Sequence, residues 1–155
     1  MIQRVDSEGY NAINLNEFVF LPENQEVDYT GRNYLSEMAY YYYYAPSEIR
    51  LTRIYKHNVD IDNMSSAGHT ITGEGVRIYP TPMILRHYVA LNLEKFKSTY
   101  TSRRFDQEEL DKGWHHNRVG YRWDHVHIPE LKKLIHAPSE GIVTSNPLKK
   151  HFWEW

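Results

Sequence analysis

A chain of 155 residues is long enough for one domain with a real core, and 18 Lys and Arg against 20 Asp and Glu leave no global charge that would draw it to nucleic acid or to an anionic membrane. It has no cysteine, which excludes disulfides, thiolate metal sites and Cys nucleophiles. The opening residues MIQRVDSEGYNAINLNEF lack the basic and apolar regions of a signal peptide, and no apolar run approaches the roughly 20 residues of a membrane helix, so a cytoplasmic protein is expected. The unusual feature is 13 Tyr, 4 Trp and 9 His. Tyr and Trp join an apolar body to a polar tip, which suits sugar or protein contact surfaces as well as strand packing.

In chain order, residues 10–21 (YNAINLNEFVFL) read as a strand stopped by Pro22, and ENQEVDYTGRN as a polar turn. A short helical turn is expected at NYLSEM, then a strand over AYYYYYAP that ends at Pro46. IRLTRIYKH alternates like another strand with Arg50 and Lys56 turned outward, NVDIDNMSSAGH is a loop, and HTITGEGVRIYP reads as two extended pieces around GEG. Beyond the prolines at 80 and 82 the pattern changes. Leu85, Val89, Leu93, Phe96 and Tyr100 are spaced by three and four, which predicts one face of a long helix. A shorter helix should start at Asp106 as N-cap, with Glu108 and Glu109 in its first turn, and stop at Gly113. IPELKKLIHA suggests one or two further helical turns. The tail NPLKKHFWEW carries aromatics that should fold back on the protein or meet a partner.

The chemistry-bearing residues lie in this frame. GWHHNR, residues 113–118, holds an indole, two imidazoles, an amide and a guanidinium just past a helix end. Trp114 could stack on a sugar ring, and Asn117 and Arg118 could hydrogen-bond hydroxyls or a phosphate. In LRHY, Arg86 can fork onto phosphate and His87 can move a proton. SSAGH brings small residues and His69 to where backbone can approach a ligand closely. Glu17 is a carboxylate in an otherwise apolar strand. Buried there it needs a partner, and it becomes a candidate general base. HVH at 125–127 has a spacing that could ligate metal on one strand face, whereas DID at 60–62 reads as a loop triplet of the kind that occurs by chance.

The succession of GYNAINLNEFVFLP, the Tyr run before AP, SSAGH, and VRIYPTPMILRHYVALNLEKFKSTYTSRRFDQEELDKGWHHNR resembles a group of bacterial family-2-like glycosyltransferases, over roughly residues 5–125. The resemblance implies a GT-A type enzyme that moves a sugar from a nucleotide-diphosphate donor to an acceptor hydroxyl. It is confined to the C-terminal half of such enzymes. It therefore implies a fragment, a split protein whose partner chain supplies the nucleotide-binding half, or a domain reused without catalysis. By the same resemblance His69 stands at a metal or diphosphate position, with Mn or Mg as the cation of the complete enzyme. Arg86 and His87 face donor phosphates or acceptor, Trp114, His115, Asn117 and Arg118 line the acceptor side, and Glu17 holds the strand carboxylate position.

The expectation is an α+β domain spanning 1–155, a partial GT-A-like fold with a short mixed sheet, one long helix and one or two short ones, and an aromatic tail over 126–155. It lacks the N-terminal βαβ half. Glu17 and His87 are the candidate catalytic groups, and a nucleotide sugar and a glycan or other hydroxyl acceptor are the expected partners. The competing expectations are a non-catalytic carbohydrate- or protein-binding module and a His-based metal hydrolase.

Overall fold

The computed structural model describes residues 1–57, 60–125 and 128–154, with the backbone alone at 117, 125 and 153. The class is α+β, as expected. Among the described residues the strands are β1 (Ala12–Leu21), β2 (Tyr40–Tyr44), β3 (Ile54–Tyr55), β4 (Ile78–Tyr88) and β5 (Ile135–His136). The helices are α1 (Ile2–Ser7), α2 (Tyr34–Glu37), α3 (Leu93–Ser102), α4 (Gln107–Asp111) and α5 (Ala137–Glu140). The sheet order is β3-β1-β2-β5, with β4 also paired to β1. The pairs β1–β3 and β2–β5 are antiparallel, and a parallel bridge joins Tyr44 to Leu148. No described helix is long and apolar enough to cross a membrane.

The chain packs as two compact units, Met1–Glu17 with Ser47–Leu85 and Phe18–Pro46 with Arg86–Trp155. In the first unit β3 lies on the start of β1, with Ala12 opposite Tyr55 and Ile13 opposite Ile54. Its apolar centre is small, built from Val5, Ile13 and Tyr79. Polar side chains complete it. The Asn14 carboxamide accepts the Arg50 and Leu51 N–H groups at 3.1 and 3.0 Å, and the Glu17 carboxylate pairs with the Arg50 guanidinium. Arg50 therefore turns inward, against expectation. The regular strand here is confined to Ile54–Tyr55, and 47–53 follows the polar groups of β1, which leaves Ile49 exposed and Leu51 buried.

The second unit has an apolar cluster on each face of its strands. Period-two alternation sends Phe18 and Phe20 of β1 to one cluster with Tyr41, and Val19 and Leu21 to the other with Tyr42, Tyr44, Leu93, Phe96 and Phe152. The Tyr run forms β2, as its β-propensity predicts. The phenols serve as ties. Tyr41 Oη donates to the Gly141 carbonyl at 2.8 Å and accepts the Val143 N–H at 2.7 Å, and Tyr42 Oη meets His151 Nδ1 at 2.9 Å. The aromatic tail thus folds back within its own unit, with Phe152 fully buried.

The helix expected from Leu85 begins instead at Leu93, where the Asn92 side chain caps it by accepting the Lys95 N–H at 2.8 Å. Leu85 to Tyr88 belong to β4. A spacing of four is a multiple of two as well as about one helical turn, so Leu85 and Val89 satisfy both periods. Pro80 and Pro82 sit inside β4, which among the described strands has β1 as its neighbour, the edge setting in which a missing N–H is tolerated. The signals for α4 hold: Asp106 is the N-cap and Gly113 stops it at φ 79°. The Trp114 N–H returns to Glu109 O at 3.0 Å and the Gly113 N–H to Leu110 O at 2.8 Å, the paired bonds of a Schellman stop. IPELKKLIHA forms a single 3-10 turn, Leu131–Lys133, before β5.

Candidate functional site

Glu17 and His69 fall in the first unit. Glu17 is 3 % exposed and held by Arg50. An ion pair this dry stabilises little as a pair, but removing one partner leaves a buried charge and costs about 3–5 kcal/mol. His69 closes the SSAGH turn, where Ala67 and Gly68 are both left-handed, at φ 51° and 75°. Its carbonyl accepts the Thr52 N–H at 2.9 Å, and its Nδ1 lies 3.4 Å from the Arg53 guanidinium. The Ser66 hydroxyl locks the turn by donating to Thr70 O and accepting the Thr70 N–H. Among the described residues no group of three His, Asp or Glu converges as a metal site would require, so His69 offers at most one ligand within its unit. In the DID triplet, Asp62 spends its carboxylate on the Met64 and Ser65 N–H groups, which hold it below the usual carboxylate range. Of the HVH motif at 125–127, Val126, His127 and the side chain of His125 lie outside the described residues.

The remaining site residues fall in the second unit. β4 ends there, and alternation puts Arg86 and Tyr88 on one face and His87 on the other. The Arg86 guanidinium lies over the Phe20 ring, 5.7 Å from its centroid, and Tyr88 stacks on the same ring at 4.8 Å. Phe20 is 1 % exposed, so it is a fixed platform. Arg86 is exposed and, among the described residues, has no ion pair or hydrogen bond. A charged group without a carboxylate partner, oriented by a buried ring, is prepared to fork onto an anion.

GWHHNR wraps the end of α4. Trp114 is half-buried with Lys112 5.3 Å over its ring, and its Nε1–H is buried without a partner. His115 adopts φ 60°, uncommon outside glycine, and stacks on Phe105 at 4.6 Å. Burial, followed by the neighbouring Arg118 charge, pushes its imidazole pKa below the ordinary value. Arg118 lies over Tyr100 at 5.6 Å, and burial pushes the adjoining Tyr121 phenol up. The side chain of Asn117 lies outside the described residues.

A groove of about 340 Å³ lies between the end of β4 and α3, lined by Tyr88 and by Tyr100, the ring over which Arg118 lies. Sequence reasoning missed Phe20, Arg50, Asn92, Lys95 and Tyr100. The one local signal for them was Asn92, an N-cap residue three before Lys95. Comparison with known proteins finds no matching family, no matching curated protein and no matching solved structure.

Proposed function

We propose that the chain belongs to a glycosyltransferase of the GT-A, family-2-like kind, and that its second unit handles a phosphate of a nucleotide-diphosphate sugar beside an acceptor sugar. The observation that carries this reading is Arg86, exposed, without an anionic partner and laid on the buried Phe20 ring two residues before Tyr88 enters the groove. Guanidinium groups fixed on aromatic faces are suited to phosphate because the planar fork is already oriented. Transfer then forms a bond from the acceptor oxygen to the anomeric carbon and breaks the bond to the diphosphate. Positive charge fixed at the leaving phosphate lowers that barrier. The divalent cation in this reading is Mn or Mg, and His87 at the end of β4 is the proposed proton-handling group.

The test is calorimetric titration of the 155-residue chain with a panel of nucleotide sugars, with and without Mn²⁺. Binding is expected to weaken roughly tenfold or more in Arg86→Gln, because hydrogen bonds to charged groups contribute about 1.5–3 kcal/mol. No binding to any nucleotide sugar, or equal binding by Arg86→Gln, would remove the transferase reading. The aromatic groove keeps one alternative open, a non-catalytic carbohydrate-binding module, which predicts glycan binding that ignores both nucleotide and metal.

A further inference from the structure

We infer that the groove between β4 and α3 binds one neutral hexopyranose ring, as the acceptor sugar. The inference deepens the transferase reading and rests on it for the word acceptor, but the binding itself stands on separate observations. The groove walls are apolar where Tyr88, Val89, Leu91, Phe96 and Tyr100 line it, and polar where Thr30, Asn92, Lys95 and Thr99 do. Its volume of about 340 Å³ falls within the roughly 300–1,000 Å³ of small-ligand pockets. The Lys95 ammonium at its wall is exposed and makes no hydrogen bond among the described residues.

The charge balance selects the ligand class. Asp28 hydrogen-bonds the Thr30 N–H at 2.8 Å and the Asn92 and Thr30 side chains, and its carboxyl is held below the usual range by these bonds and by the Lys95 charge. It thereby orders Thr30 and Asn92 at the groove and offsets Lys95. One cation balanced by one fixed carboxylate does not favour a phosphate or a uronate. An ammonium, an amide and two hydroxyls beside aromatic and aliphatic walls match a ring with C–H edges and several hydroxyls. The two walls are tied by the Tyr29 N–H bonded to Leu91 O at 2.8 Å, which brings residues 28–30 to the start of α3.

The test is amide chemical-shift mapping of the intact chain with methyl hexopyranosides, with inorganic phosphate as a separate titrant. At least one pyranoside is expected to shift residues 30, 92, 95 and 99, and phosphate is not. Lys95→Met keeps the aliphatic stem and removes the ammonium. It is expected to weaken binding roughly three- to tenfold at unchanged melting temperature, since it removes one hydrogen bond. Lys95 is exposed, so the variant reads binding rather than folding. No pyranoside shift at these residues, the same shifts with phosphate alone, or wild-type binding by Lys95→Met would overturn the inference. Groove shifts in a chain that binds no nucleotide sugar would leave the inference standing and sink the transferase reading. Nucleotide-sugar binding without groove shifts would do the reverse.

Discussion

The two units solve the same problem, tying loops to a short sheet, with different chemistry. The first has little apolar area and ties its loops with Asn14, Glu17, Arg50 and Ser66. The second buries rings on both faces of its strands and ties its tail with the phenols of Tyr41 and Tyr42. Polar ties fix a segment by direction and are lost all at once when one partner goes. Ring packing tolerates small shifts and loses stability in proportion to the volume removed. The exposed, unpaired cation of the proposed site stands on the ring-packed unit, where its platform is stiff.

Breaking the ring-packed unit should give the largest change. Phe20→Ala removes a ring that supports Tyr41, Tyr88 and Arg86, and should lower stability by about 3–5 kcal/mol in urea unfolding. Arg50→Met attacks the polar unit by stranding the Glu17 carboxylate, and should cost about 3 kcal/mol or somewhat more by the same measurement. The double variant Glu17→Gln with Arg50→Met should recover part of that loss, and equal loss in single and double variants would show that the pair is not the tie. Gly73→Ala should cost about 1–3 kcal/mol, because φ is 154° and the new Cβ would run into the Asp60 carbonyl.

Smaller effects sharpen the contrast through pH. His115 has a lowered folded pKa, so below the ordinary value of about 6.5 the unfolded chain takes up the proton first. Stability contributed by the neutral ring is complete above that pH and is lost as pH falls toward the folded value. His115→Asn, which tolerates the left-handed backbone, should flatten this part of a stability profile below about pH 6.5. Asp28 follows the same sign at lower pH. Its contribution is full above the ordinary carboxylate value of about 4 and disappears as pH falls through the depressed folded value. Asp28→Asn should remove that step in acid unfolding.

Signals that act within a few residues were readable in the sequence. Pro22 follows β1, the Tyr run is a strand, and Asp106 and Gly113 bound α4. Glu17 was readable as a buried carboxylate in need of a partner, but Arg50 was not, because local alternation turned it outward while the structure follows Asn14 and Glu17. Helix α1 was missed, since IQRVDS has a single buried position, Val5. Arg86 was read on a helix and stands on a strand, which separates it from His87 and joins it to Tyr88. The groove was hidden for a different reason: residues 28–30 and 91–100 meet through the Tyr29–Leu91 backbone bond and the Asp28–Asn92 side-chain bond, and no periodicity records either.

The central claim is that Arg86, seated on Phe20, takes a phosphate of a nucleotide sugar. It is tested most directly by following the Arg86 Nε–Hε resonance during titration of the chain with a nucleotide-diphosphate sugar. The account predicts a saturable shift of that resonance, weakened in Phe20→Leu, which loosens the platform. A silent Arg86 resonance at ligand concentrations that shift other residues would contradict it.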